Sequence, residues 1–71
     1  MKSTVWLKDK ADEVAKELKF IEKQIKDRNL EFENLWNHKY IARNGEEMNI
    51  TLMEQLSATT AKSLLLKEIL S

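Results

Sequence analysis

Leu7, Ala11, Val14, Leu18, Ile21, Ile25, Arg28, Phe32, Leu35, Lys39 and Ala42 follow one another at alternating steps of four and three. Only Arg28 and Lys39 in this series are not apolar. Such spacing is the seam of a heptad repeat, and a seam of this length demands a partner helix. From Val5 onward, the first strong stop signal is Asn44-Gly45, where a glycine accepts the left-handed conformation that closes a helix. The spacing therefore predicts a long helix over 4–43, a loop over 44–50 and a shorter helix over 51–70. A short loop returns the second helix antiparallel to the first. The expected fold is an all-α helical hairpin that self-associates as a coiled-coil or four-helix-bundle dimer.

Composition narrows the alternatives. The 71 residues suffice for one small domain, whose own core would be marginal. Cysteine is absent and His38 is the only histidine, so disulfides and thiolate or imidazole-rich metal sites within one chain are not expected. With no proline and one glycine, turn chemistry is scarce and helix should dominate. Twelve basic residues balance twelve acidic ones, which argues against a generic polyanion binder. The first nine residues contain no apolar h-region and no apolar run approaches a bilayer span, so the expectation is a cytoplasmic protein without a membrane span.

Local signals place the remaining elements. Ser3 or Thr4 is a suitable cap for the first helix. Lys8 with Asp12, Asp12 with Lys16, Glu22 with Lys26 and Lys23 with Asp27 have the spacing of ion pairs on a solvated face. Phe32, Trp36 and Tyr40 form an aromatic row at helical spacing. Thr51-Leu52-Met53-Glu54 is a capping box, the clearest helix start in the chain. Beyond it, Leu52, Leu56, Thr59, Ser63, Leu66 and Leu70 make a second seam, while Leu64, Leu65 and Ile69 widen the apolar arc to suggest contact on two sides. The small residues Ser57 to Ala61 either admit a close neighbour or kink the helix. Asn49-Ile50-Thr51 matches a glycosylation pattern by chance.

Two alternatives stand beside the continuous helix. A break at 27–29, with Asn29 capping a new helix, would give a three-helix bundle. Asn44-Gly45 read as a type I′ turn would pair residues 40–43 with 46–50, giving helix–β-hairpin–helix.

With a turn near residue 47, Trp36 should face Ala58 and Ile25 should face Ile69. The first part of the long helix would then project with nothing of its own chain to cover it. That overhang predicts a homodimer or higher helical oligomer, with Val5, Leu7, Ala11, Val14, Leu18, Ile21 and Ile25 as the self-association residues. Arg28 and Lys39 would set register on the seam, or extend their stems to its edge.

No catalytic, nucleotide-binding or metal signature accompanies this pattern, and no cofactor is expected. The leading reading is a non-catalytic protein–protein interaction module: a self-associating adaptor, assembly factor or small regulator. Trp36, His38, Lys39, Tyr40 and Arg43 form the expected patch for another protein. The runner-up is a helical-dimer nucleic-acid binder, using a stripe of Lys16, Lys19, Lys23, Lys26, Arg28, Lys39 and Arg43 with Trp36 and Tyr40 to stack on bases. Membrane-surface association through the second helix has little basic charge behind it, only Lys62 and Lys67.

Overall fold

A computed structural model describes residues 4–70. Helix α1 spans Thr4–Asp27, a 3-10 helix spans Phe32–Asn37, strands β1 and β2 span Lys39–Ile41 and Glu47–Thr51, and helix α2 spans Leu52–Leu70. The expected cap at Ser3 lies outside the described residues. The molecule is mostly helical, but the all-α expectation is corrected by the strand pair, and the helix expected over 4–43 ends at Asp27.

The physical cause of that early end is Asn29, the one described non-glycine residue with positive φ, at 53°. Its N–H donates to Lys26 O at 3.0 Å, and the Leu30 N–H reaches back to Ile25 O at 3.0 Å. This pair of bonds is a Schellman motif, and asparagine is the usual substitute for glycine at its left-handed position. The apolar pair that accompanies the motif is present too: Leu30 and Ile25 both pack against the core. Asn29 thus closes α1 rather than capping a new α-helix. A heptad count continues smoothly across this point because it registers residue type and spacing, not backbone hand.

The aromatic row is broken by the same event. Phe32 and Trp36 lie on the 3-10 helix at 69% and 58% exposure, while Tyr40 enters β1 and is buried. Leu35, between the two exposed rings, anchors the 3-10 helix at 1% exposure.

The connection between the strands is a hairpin, as one alternative held, but not of type I′. Gly45 N–H donates to Ala42 O at 2.8 Å, and Ala42 N–H donates to Glu46 O at 2.9 Å. Gly45 alone in the loop has positive φ, at 86°. Together these describe a type I turn followed by a left-handed glycine, the three-residue hairpin loop. Asn44 Oδ1 accepts the Glu46 N–H at 3.0 Å and fixes the turn. Lys39 pairs with Thr51 and Ile41 with Glu47, so Tyr40 stands opposite a bulged Met48 to Ile50.

Strand β2 runs straight into α2. Thr51 Oγ1 accepts the Glu54 N–H at 3.1 Å, as the capping box required. Helix α2 is continuous through Ser57 to Ala61. Thr59 is buried there, and its hydroxyl donates to Gln55 O at 2.7 Å.

Helices α1 and α2 pack against each other and run antiparallel, Gln55 bonding Glu17 while Leu65 and Leu66 adjoin Lys10 and Val14. Lys10, Val14 and Glu17 share a groove with Lys62, Thr59 and Gln55, taken in opposite chain directions. This register replaces the expected one, in which Ile25 faced Ile69 and Trp36 faced Ala58. Because residues 28–51 form a compact connection, α1 and α2 have similar lengths, about 36 and 28 Å at 1.5 Å per residue. The bare overhang therefore does not arise. Val14 is 7% exposed and Ile21 is fully buried against the chain's own elements. The core joins Ile21, Leu35, Tyr40, Leu52 and Met53, with Phe20, Ile25, Ile50 and Leu56 at its margin.

Candidate functional site

Of the residues expected to self-associate, Val14 and Ile21 are core, and Leu7, Ala11, Leu18 and Ile25 are half-buried. Only Val5 remains largely bare, at 67% exposure. Beside it in the chain, Trp6 is also exposed, and near the end of α2 Leu64, Leu65 and Ile69 are each more than half exposed. The antiparallel register brings the start of α1 and the end of α2 to the same end of the molecule, opposite the hairpin. There Val14, Leu65 and Leu66 form an apolar floor between Lys10 and Lys62, with a cavity of 260 Å³.

The groove widens toward the hairpin into a space of 430 Å³ lined by Lys10, Glu13, Glu17, Arg43, Gln55, Thr59 and Lys62. Glu17 is its organising group. Its Oε1 accepts from the Tyr40 hydroxyl and, at 3.5 Å, from Gln55 Nε2. Its Oε2 lies 3.6 Å from Arg43 Nη2. The Arg43 guanidinium also sits 5.5 Å from the centre of the Phe20 ring, and Phe20 meets Tyr40 edge-on at 6.1 Å. Burial, followed by the bond to Glu17, pushes the Tyr40 hydroxyl up from 10.0 to about 12. At neutral pH it is a phenol that donates, not a base or nucleophile. The cluster ties α1, β1 and α2 together.

A second polar device joins α1 to the hairpin. Gln24 Nε2 donates to Ile41 O at 2.7 Å, and Gln24 Oε1 accepts the Ile41 N–H at 3.1 Å. Arg28 Nη2 donates to Gln24 Oε1 at 2.7 Å and to Lys39 O at 3.2 Å. The outer edge of β1 is thus closed by Gln24 of α1 and by Arg28, just beyond its end. The sequence reading missed Gln24, which had no local signature, and placed Arg28 on a coiled-coil seam that does not form.

The expected partner patch is divided. Trp36 and Lys39 are exposed and His38 is half-buried, while Tyr40 is core and Arg43 turns to Glu17 and Phe20. Lys39 Nζ donates to Asn49 Oδ1 at 3.3 Å. The proposed basic stripe is broken by the same turns of Arg28 and Arg43, and Tyr40 is withdrawn from stacking. None of the four expected helix-surface ion pairs closes; Lys10 and Glu13 pair instead, at 3.8 Å.

Among the described residues no group of acidic or histidine side chains is arranged to hold a metal ion, and no helix is long and apolar enough to cross a membrane. The chain is a small helix–β-hairpin–helix domain with an open helical end. Comparison with protein families, with characterised proteins and with solved structures finds no match to it.

Proposed function

We propose that the chain is a non-catalytic protein–protein interaction module that pairs with a second copy through its open end, acting as an adaptor, assembly factor or small regulator. The observation that supports this reading is the exposure of Val5, Leu64, Leu65 and Ile69, between 52 and 67%, at one end of the molecule. Burying several such side chains is worth several kcal/mol at about 25 cal/mol per Å². The adjoining groove carries charges of both signs, Lys10, Lys62 and Arg43 with Glu13 and Glu17, of which Glu13 already pairs with Lys10 and Glu17 with Arg43. Two hairpins joined this way make a four-helix section. The originally expected surface on α1 contributes little, since Val14 and Ile21 are already used within one chain.

Sedimentation equilibrium of the intact chain tests this. The expected mass is twice the 8.4 kDa of one chain. Leu65→Lys with Ile69→Lys, both at exposed positions, should return it to one chain mass with its helix content intact. A single-chain mass at high concentration would remove the self-association.

A further inference from the structure

We propose that the groove between α1 and α2 binds a small amphiphile with a single negative charge, a medium-chain alkyl carboxylate, with its head at Lys62 and its tail on Val14, Leu65 and Leu66. The site is assembled within one chain, so it stands whether or not two copies pair.

Two spaces make up this groove, and they are continuous: Lys10, Val14 and Lys62 border both. Gln55, Thr59, Lys62 and Leu66 follow one another on α2 at steps of four and three, and Lys10, Val14 and Glu17 do the same on α1. Each helix therefore gives one face to the groove. Toward the hairpin that face is polar, with Glu13, Glu17, Arg43 and Gln55. Toward the open end it is Val14, Leu65 and Leu66, and the only charged residues bordering that part are Lys10 and Lys62. The two lysines mark the junction of a polar half and an apolar half. An amphiphile carries the same division.

The charges of the groove do not cancel. Lys10, Arg43 and Lys62 stand with Glu13 and Glu17. Glu17 Oε2 lies 3.6 Å from Arg43 Nη2, and Glu13 Oε2 lies 3.8 Å from Lys10 Nζ. Lys62 belongs to no ion pair among the described residues. One positive charge is left over, and it stands at the head of the apolar floor. A carboxylate complements it. A dianion brings a second negative charge among the two glutamates, and a cation is repelled by the lysines.

The floor also sets the size of the ligand. Val14 is fixed in the core at 7% exposure, whereas Leu65 is open to solvent. The apolar space of 260 Å³ holds about eight carbon-sized groups at about 30 Å³ each, the share of a water molecule in the liquid. Octanoate fits this space, and the paired long tails of a membrane lipid do not.

The test titrates the intact, isotope-labelled chain with sodium octanoate and follows it by nuclear magnetic resonance. The shifts should saturate at one octanoate per chain with a dissociation constant below about 1 mM. Nuclear Overhauser contacts should run from the octanoate methylenes to the methyls of Val14, Leu65 and Leu66. Lys62→Met keeps an apolar stem without the charge and should weaken binding by about ten-fold; octanol should bind the parent chain more weakly than octanoate by a similar factor. Octyltrimethylammonium, acetate and phosphatidylglycerol vesicles should leave the groove signals unmoved. The proposal is overturned if octanoate does not saturate, if its contacts fall elsewhere, if Lys62→Met binds as tightly as the parent, or if the cation or the vesicles take the groove. Leu64→Ser with Ile69→Ser separates this site from self-association, because neither side chain lines the groove. That variant should lose pairing and keep octanoate. Loss of octanoate with the fold intact would put the site between copies and refute it.

Discussion

The side-chain amide of Gln24 forms both hydrogen bonds that a neighbouring strand would form with Ile41, donating to its carbonyl at 2.7 Å and accepting its N–H at 3.1 Å. A two-stranded sheet has two open edges and is marginal alone. Here one edge is closed by a helix, and the hairpin becomes part of the domain rather than an appendage. Arg28 holds the Gln24 carbonyl from the other side. The arrangement converts a surface polar residue of α1 into the clamp that sets where β1 lies.

Gln24→Ala should therefore lower stability by about 2 kcal/mol, because both backbone groups of Ile41 lose their partner in a partly buried place. Gln24→Glu keeps an acceptor but no donor and should fall between. Urea unfolding followed by circular dichroism measures both. Equal stability of all three proteins would show that water replaces the clamp without cost.

Asn29 permits an equally local test. A glycine at this left-handed position should be neutral or slightly stabilising, whereas Asn29→Val should cost about 1–2 kcal/mol. Thermal unfolding of the two variants should bracket the parent chain. If Asn29→Val were the more stable, α1 would have to continue through this residue in solution.

Tyr40 should contribute to the alkaline decline in stability. Its hydroxyl is raised from 10.0 to about 12, so the folded state holds a proton that the unfolded chain gives up first. The stabilisation is fully present below pH 10 and disappears as pH rises to about 12, a loss of roughly 2–3 kcal/mol. Tyr40→Phe should lose about 1 kcal/mol at neutral pH through the missing bond to Glu17, but should show a shallower decline between pH 10 and 12. Unfolding free energies measured across that range for both proteins check it. Parallel curves would mean that the hydroxyl titrates normally.

The parts of the fold that were legible in the sequence are those coded by neighbours. Thr51 and Glu54 announced the start of α2, and Asn29 and Asn44-Gly45 were recognised as the two weak points of a continuous helix. The decision between them failed because the heptad series ran on through Phe32 and Leu35 in unbroken phase. Leu35 is indeed core, but Phe32 is in water. A sharper local signal was available: an asparagine followed by leucine, with isoleucine five residues before that leucine, is the apolar pair of a Schellman motif. The Gln24 clamp and the Glu17–Tyr40–Arg43 cluster had no such signal. Their partners lie 17 and 23 residues apart, and only the packed chain brings them together. The width of the α2 apolar arc was read as contact on two sides, and within one chain Leu64, Leu65 and Ile69 stay exposed; the exposure of Val5 was expected for a different reason, an overhang that the observed register removes.

The register is also what decides which apolar side chains are left for partners, and it can be measured directly. The chain has no cysteine, so Lys10→Cys and Lys62→Cys can be labelled with nitroxides and diluted in unlabelled protein. Both positions line the same groove. Pulsed electron double resonance should therefore give a short intramolecular separation, about 20 Å or less including the label arms. A helix continuing to residue 43 would set Lys62 beside residue 32, some 22 residues along α1 from Lys10, and the separation would rise to about 30 Å or more. The short distance is the predicted result; the long one would contradict the break at Asn29 and every surface assignment that follows from it.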